Sequence, residues 1–225
     1  VKSTSHRLAG GAAGYAAAAA VLPMSAPAAV GTLVFATLIA GELPDLDIAG
    51  SRISRGRTLR RVPLVARIVL AALALPALAL GVVLRGILRL AGGWLAAHRG
   101  LLHSAPALVG FALLVPPLYL LYVHEAVELG ATLLPAAAPW CSSVTSQVAS
   151  HSSTILGVGG LVTGAGVASH LTLDAMTPHG VPLLAPISDR AFRLPWTIRT
   201  GSRGELPVAL VLLAAWLLAV QHAVS

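Results

Sequence analysis

The chain has 225 residues, of which 56% are hydrophobic and only 10% charged, with a mean hydropathy of +0.84. A water-soluble domain carries about 25% charged residues, so an ordinary soluble enzyme is excluded and an integral membrane protein is expected. Fifteen Lys and Arg against eight Asp and Glu give a net charge of +7, but most of the cations flank apolar runs, where they set topology and meet headgroups; no nucleic-acid partner is expected.

The first apolar segment, residues 8 to 22, follows Lys2, His6 and Arg7. A signal peptide begins in a similar way, but a histidine precedes the stretch and further spans follow, so it reads as a membrane helix. The second, 28 to 41, is joined to it through Pro23 and Pro27 as a tight helical hairpin. It runs into Glu42-Leu43-Pro44-Asp45-Leu46-Asp47, where Pro44 interrupts regular helix and a turn can direct both aspartates inward. Helix capping is the alternative role for these carboxylates. Residues 62 to 91, broken by Pro76 and marked by Arg67, Arg85 and Arg89, read as a re-entrant or interfacial hairpin.

Next come His98, Arg99, Gly100, His103 and Ser104; Gly100 is expected to make the turn and Ser104 to cap the segment 104 to 123. The segment 155 to 173 carries Gly160 and Gly164, and the first segment Gly10 and Gly14, small faces suited to ordinary bundle packing. A last segment, 206 to 222, follows Arg190, Arg193, Arg199, Arg203 and Glu205. The lone Cys141 excludes an internal disulfide and a Cys-rich zinc site. The expected architecture is all-α: one membrane-embedded domain over 1–225, a polytopic helical protein of about five spans plus the Pro-broken hairpin.

Parity gives the hairpin its place. With residues 62 to 91 entering and leaving on one side, His6, Asp45, His98, His103, His170 and Asp174 all reach the same face, and the opposite loop, 124 to 154, contains no Lys or Arg. Short loops rich in Lys and Arg stay in the cytoplasm. The motif face is therefore expected to be cytoplasmic, in an inner membrane.

Those motifs have the composition of a metal site. His170 and Asp174 lie four apart on a predicted helix and project from one face. His179 follows Pro178, where the helix must end, and a turn would bring it back to the same ion. Asp45 and Asp47 repel unless a cation or proton sits between them. His98 and His103 flank Arg99, whose guanidinium suits an anionic oxygen, and His6 is a further ligand candidate. Arg199 is a second candidate phosphate holder, and Glu205 either a helix-dipole residue or a partner to a ligating histidine. Eight candidate ligands exceed one tetrahedral ion, so two or more divalent metals are expected. Mixed His and Asp ligation suits Zn²⁺, with Mn²⁺ or Fe²⁺ as alternatives.

Taken together, Leu43-Pro44-Asp45-Leu46-Asp47, the His98 to Ser104 stretch, His170 and Asp174 with Thr177-Pro178 and Gly180, and Arg199-Thr200-Gly201 before Glu205 resemble the YdjM/YbcI-like membrane-bound metal-dependent hydrolases over nearly the whole chain. Ile48 stands where that family often has His, Leu102 where it often has Thr, and residues 62 to 91 resemble an insertion. A fainter likeness, in site composition alone, is to zinc-dependent phospholipase C and P1-type nucleases. The expected function is hydrolysis of a lipid-linked phosphoester by metal-activated water, with membrane lipids as partners and a lipid phosphate as substrate. A divalent-metal transporter would need ligands near mid-span and a path open to each side in turn, and a non-catalytic scaffold a closed structural site. Oligomeric state is left open.

Overall fold

The structure is a computed structural model that describes residues 3–23, 25–47, 64–93, 99–200 and 202–224. The described residues form helices and turns, with a single antiparallel bridge between Val181 and Phe192. Helix α1 covers Ser3–Ala19, α2 Ala26–Leu38, α3 Leu64–Ala91, α4 Ala105–Leu133, α5 Ala138–Ser150, α6 Ser152–Ala175 and α7 Glu205–Val224. Five stretches among the described residues are long and apolar enough to cross a membrane: Ala28–Leu46, Ala71–Ala91, Ala105–Leu133, Ser152–Ala175 and Glu205–Val224. Helix α1, of 17 residues, is about 26 Å long and lies against α2, α6 and α7.

The path of residues 62 to 91 differs from the expected hairpin. Helix α3 is one continuous helix through Pro76. The Tyr119 hydroxyl of α4 donates to the Leu73 carbonyl at 2.8 Å, while Leu80 and Leu84 line a crevice with Leu102 and Pro106, so α3 runs antiparallel to α4. A proline removes one N–H and crowds the preceding turn, but in an apolar surrounding the remaining helical hydrogen bonds have no competing solvent, and a nearby hydroxyl takes up a carbonyl of the proline's turn. The arginines at 52 to 61 lie outside the described residues.

Two features place the functional face. Helix α2 does not stop at Leu38: after Ile39 the chain tightens into a 3₁₀ helix, Ala40–Asp47, that contains Pro44. Helix α1 and helix α6 then approach this segment so closely that side chains are excluded. A Cβ on Gly10 would lie 2.7 Å from the Gly41 Cα, and one on Gly166 would lie 2.5 Å from the Ala40 Cβ. The glycine faces thus serve packing within the chain, as Gly14 on Ala36 and Gly160 on the Ala112 carbonyl also show. Because a Cβ on Gly41 would meet the His6 carbonyl oxygen at 2.7 Å, where only backbone could yield, Gly41→Ala is expected to cost about 1–3 kcal/mol. Thermal unfolding of the purified protein checks this; an unchanged midpoint would show that α1 is free to move away.

The chain after α6 folds back over that helix's end. Leu194 N–H donates to Ala175 O and Ile198 N–H to Met176 O, and Ala105 N–H at the start of α4 donates to Leu183 O. This loop therefore sits on the same face as the 3₁₀ segment.

Candidate metal centre

Four helix ends converge. His6 stands in the first turn of α1, Asp45 in the 3₁₀ continuation of α2, His103 in the short 3₁₀ turn Leu101–His103 before α4, and His170 and Asp174 in the last turns of α6. His6, His103, His170 and Asp174 are buried and Asp45 half-buried.

Local chemistry explains each position. In a 3₁₀ helix the carbonyl of residue i accepts from the N–H of residue i+3, but the residue three after Gly41 is Pro44, which has no N–H. The Gly41 carbonyl accepts instead from His170 Nδ1 at 2.7 Å. With its proton thus held on Nδ1, the His170 ring turns the Nε2 lone pair toward the carboxylates. Ser104 caps α4 as expected: its hydroxyl accepts from Ala107 N–H at 3.3 Å and donates to Leu101 O at 2.7 Å, which fixes the turn carrying His103.

Just upstream, the left-handed residue is Arg99, at φ 62, rather than Gly100. A side chain in this region costs about 1–2 kcal/mol, offset here by two charge-assisted contacts. Arg99 donates to Asp174 Oδ1 at 2.9 Å and to the Thr177 hydroxyl at 2.7 Å, and that hydroxyl donates to the Asp174 carbonyl. Both ends of the Arg99 fork therefore orient the end of α6. This guanidinium, expected to hold a phosphate, is engaged with Asp174 and Thr177 in this arrangement.

Asp174 is the hub. Its Oδ1 lies 3.5 Å from His6 Nε2, and its Oδ2 lies 3.6 Å from His103 Nε2 and 3.7 Å from His170 Nε2. Asp45 Oδ1 lies 3.5 Å from His103 Nε2 and 3.6 Å from His170 Nε2. The His6 and His170 rings stack at 3.9 Å, and His103 meets His170 edge-on at 5.3 Å. Two ligand triads result, His6 with His170 and Asp174, and Asp45 with His103 and His170.

These distances fit a cation. A tetrahedral site with bonds of about 2.0–2.1 Å has six edges of roughly 3.4 Å; four of the six pairings among Asp45, His103, His170 and Asp174 are 3.5 to 3.7 Å, while Asp45 and Asp174 stand in different triads. Those four contacts are too long for hydrogen bonds, and the His170 Nε2 atom is buried with no hydrogen-bond partner. An orphaned buried nitrogen facing two carboxylates is costly unless something bridges them. Burial lowers the pKa of the His103 imidazole and the Asp45 carboxylate raises it again, with a net fall, which favours the neutral, ligating ring.

Three expected site residues fall elsewhere. His179 is exposed: the chain turns at Thr177, with Gly180 at φ 69, and the imidazole belongs to neither triad. Arg199 is exposed on the loop. Glu205 is buried at the start of α7, where its Oε1 accepts from the Ser5 hydroxyl at 3.4 Å, beside His6 in sequence but outside both triads. His98, Ile48 and the side chain of Asp47 lie outside the described residues. Leu102, at a position where the resembled family often has Thr, is buried in the main apolar core.

One pair escaped the sequence reading. Arg7 Nε lies 3.2 Å from Glu42 Oε1, with the two side chains 11% and 1% exposed. In a 3₁₀ helix residues three apart eclipse, so Glu42 and Asp45 share a face, one facing Arg7 and the other the histidines. The signal was present as a pair of adjacent residues, His6 and Arg7, opposite a pair three apart.

The model of the family described as YdjM inner membrane protein matches residues 1–224. No curated protein and no solved structure matches.

Proposed function

Because the chain belongs to the YdjM inner membrane protein family, we propose that it is a membrane-embedded, metal-dependent hydrolase of a lipid-linked phosphoester, with its site on the cytoplasmic side. The observation that carries the reading is the buried His170 Nε2 atom, without a hydrogen-bond partner and 3.6–3.7 Å from two carboxylate oxygens. Asp45, His103, His170 and Asp174 would hold a divalent ion, with His6 at its flank; Zn²⁺ suits the donors best, and Mn²⁺ or Fe²⁺ would also be accepted. A second ion would draw on the other triad, through His6 and the Oδ1 atom of Asp174. Such an ion supplies Lewis acidity and a water acidic enough to deprotonate near neutral pH.

The protein's own residues supply the rest. The Gly41 carbonyl holds the His170 tautomer, and Arg99 with Thr177 fixes the Asp174 carboxylate, so the donors are positioned before any ligand arrives. Asp45 and Arg99 are the more exposed members, with side chains 19% and 20% accessible. They mark the open edge of the cluster, through which a substrate oxygen would approach. An open edge supports catalysis over a closed structural site, and ligands gathered at helix ends favour a hydrolase over a transporter with a mid-span path.

The test joins two measurements. Metal content of the purified protein should fall to background in Asp45→Ala and His170→Ala. Wild-type protein loaded with Zn²⁺, Mn²⁺ or Fe²⁺ should release phosphate or a phosphorylated headgroup from phospholipid or polyprenyl phosphate vesicles, and the variants should not. Wild-type metal content in both variants would remove the metal site. Metal retained without turnover on any of these lipids would leave a structural metal and reject the hydrolase.

A further inference from the structure

The loop between α6 and α7 is not used by the metal cluster, yet it is the most unusual surface outside the spans. Leu184, Ile187 and Trp196 are 64%, 90% and 76% exposed on it, although they belong to no helix. Interleaved with them are Arg190 and Arg193, which together with Ser188 line an open cavity of about 830 Å³ whose remaining walls are apolar. Among the described residues neither arginine has an acidic partner within ion-pair distance.

The loop is held in place. Main-chain bonds join Val181 to Phe192 in both directions, Leu194 to Ala175 and Ile198 to Met176, so Trp196 sits between two anchored residues. Its level in the membrane follows from the same bonds, because Leu183 pairs with Ala105 and Leu194 with Ala175, the residues at which α4 begins and α6 ends. Those are the limits of two stretches long and apolar enough to cross a membrane, a level at which headgroups would surround the loop. Exposed apolar side chains are unfavourable in water. At a membrane boundary, tryptophan is at home and arginine meets anionic headgroups.

We propose that residues 181–200 form an interfacial lipid-binding loop, in which Leu184, Ile187 and Trp196 enter the upper acyl region while Arg190 and Arg193 bind the phosphate of an anionic phospholipid. The inference does not depend on whether the metal cluster is catalytic. A peptide partner is disfavoured by the same placement, since the apolar side chains flank the cavity at the depth of lipid.

The full chain in nanodiscs tests it, with phosphatidylcholine alone or mixed with phosphatidylglycerol, and the lipids retained on release counted by native mass spectrometry. Wild-type protein should retain phosphatidylglycerol in preference to phosphatidylcholine. At about a tenfold gain per 1.4 kcal/mol, and roughly 1 kcal/mol for each arginine near an anionic surface, Arg190→Ala with Arg193→Ala should lower that preference roughly thirtyfold. Arg190→Lys with Arg193→Lys should keep most of it. Quenching by lipids doxyl-labelled near the headgroup should be stronger in wild type than in Trp196→Phe. An unchanged preference in the alanine pair, displacement of the bound lipid by inorganic phosphate, or equal quenching in wild type and Trp196→Phe would each overturn the proposal.

Discussion

Asp174→Ala empties the cluster of divalent metal. One carboxylate meets His6 and Arg99 through Oδ1 and His103 and His170 through Oδ2, so its removal takes the carboxylate from one triad and, from the other, the second acceptor that faces its two histidines. Loss of a residue that merely supports a ligand lowers metal affinity about 10- to 100-fold, and loss of this one should exceed 100-fold. Asp174→Asn separates charge from shape: it keeps the side-chain volume, loses the negative charge, and should bind metal almost as poorly. Zn²⁺ titration and metal analysis of the purified variants give the answer. Wild-type stoichiometry in Asp174→Asn would mean that Asp45 and the histidines hold the ion without the Asp174 charge. Arg99 adds a structural consequence, because it loses its carboxylate partner in a half-buried position and only the Thr177 contact remains to offset its left-handed backbone.

The second large effect concerns stability. Glu42→Ala removes the carboxylate that faces Arg7 Nε at 3.2 Å inside a helical bundle. Breaking a buried pair from one side costs about 3–5 kcal/mol, far more than the 0–1 kcal/mol typical of an exposed pair. The purified variant should therefore unfold at a distinctly lower temperature than wild type. Arg7→Ala combined with Glu42→Ala removes both charges and should be less destabilised than Glu42→Ala alone, the coupling that a double-mutant cycle reads. Arg7→Ala completes the cycle: if the loss in the double variant equals the sum of the two single losses, the two side chains are not coupled, and the close approach of Gly10 to Gly41 holds α1 to the 3₁₀ segment without help from this pair.

Much of the site was legible because its ligands come in short-range pairs. A four-residue spacing places His170 and Asp174 on one helical face, and their contact, 3.7 Å between Nε2 and Oδ2, follows from it. Ser104 announced the start of α4, and Pro44 the end of regular helix after α2. The same proline had a consequence that local reading did not supply. By leaving the Gly41 carbonyl without its i+3 donor it provides an acceptor for His170, 129 residues away, and nothing near Gly41 in the chain names that donor. His179 failed for the complementary reason: closeness along the chain suggested the same ion, but the turn at Thr177 carries the imidazole outward. The Arg99 guanidinium suits an anionic oxygen in sequence, and its partners here, Asp174 and Thr177, are not legible beside it because they lie 75 and 78 residues away.

Residues 62 to 91 illustrate the limit for helices. Pro76 and three arginines suggested a break, yet a lost hydrogen bond is a local cost, and α3 stays whole while packing against α4. The family resemblance, by contrast, needed only the order of the motifs, and the match over residues 1–224 agrees with it.

Composition by itself determined that this is a helical membrane protein, because scarce charge and long apolar runs leave the helix as the conformation that satisfies its own backbone in lipid. Spacing determined which ligands could share a helix face. Only the tertiary structure decided which candidates meet: His6, Asp45, His103, His170 and Asp174. Their convergence depends on close backbone contacts such as Gly10 on Gly41 and Gly166 on Ala40, and periodicity constrains neighbours within a turn or two but not the meeting of segments far apart in the chain.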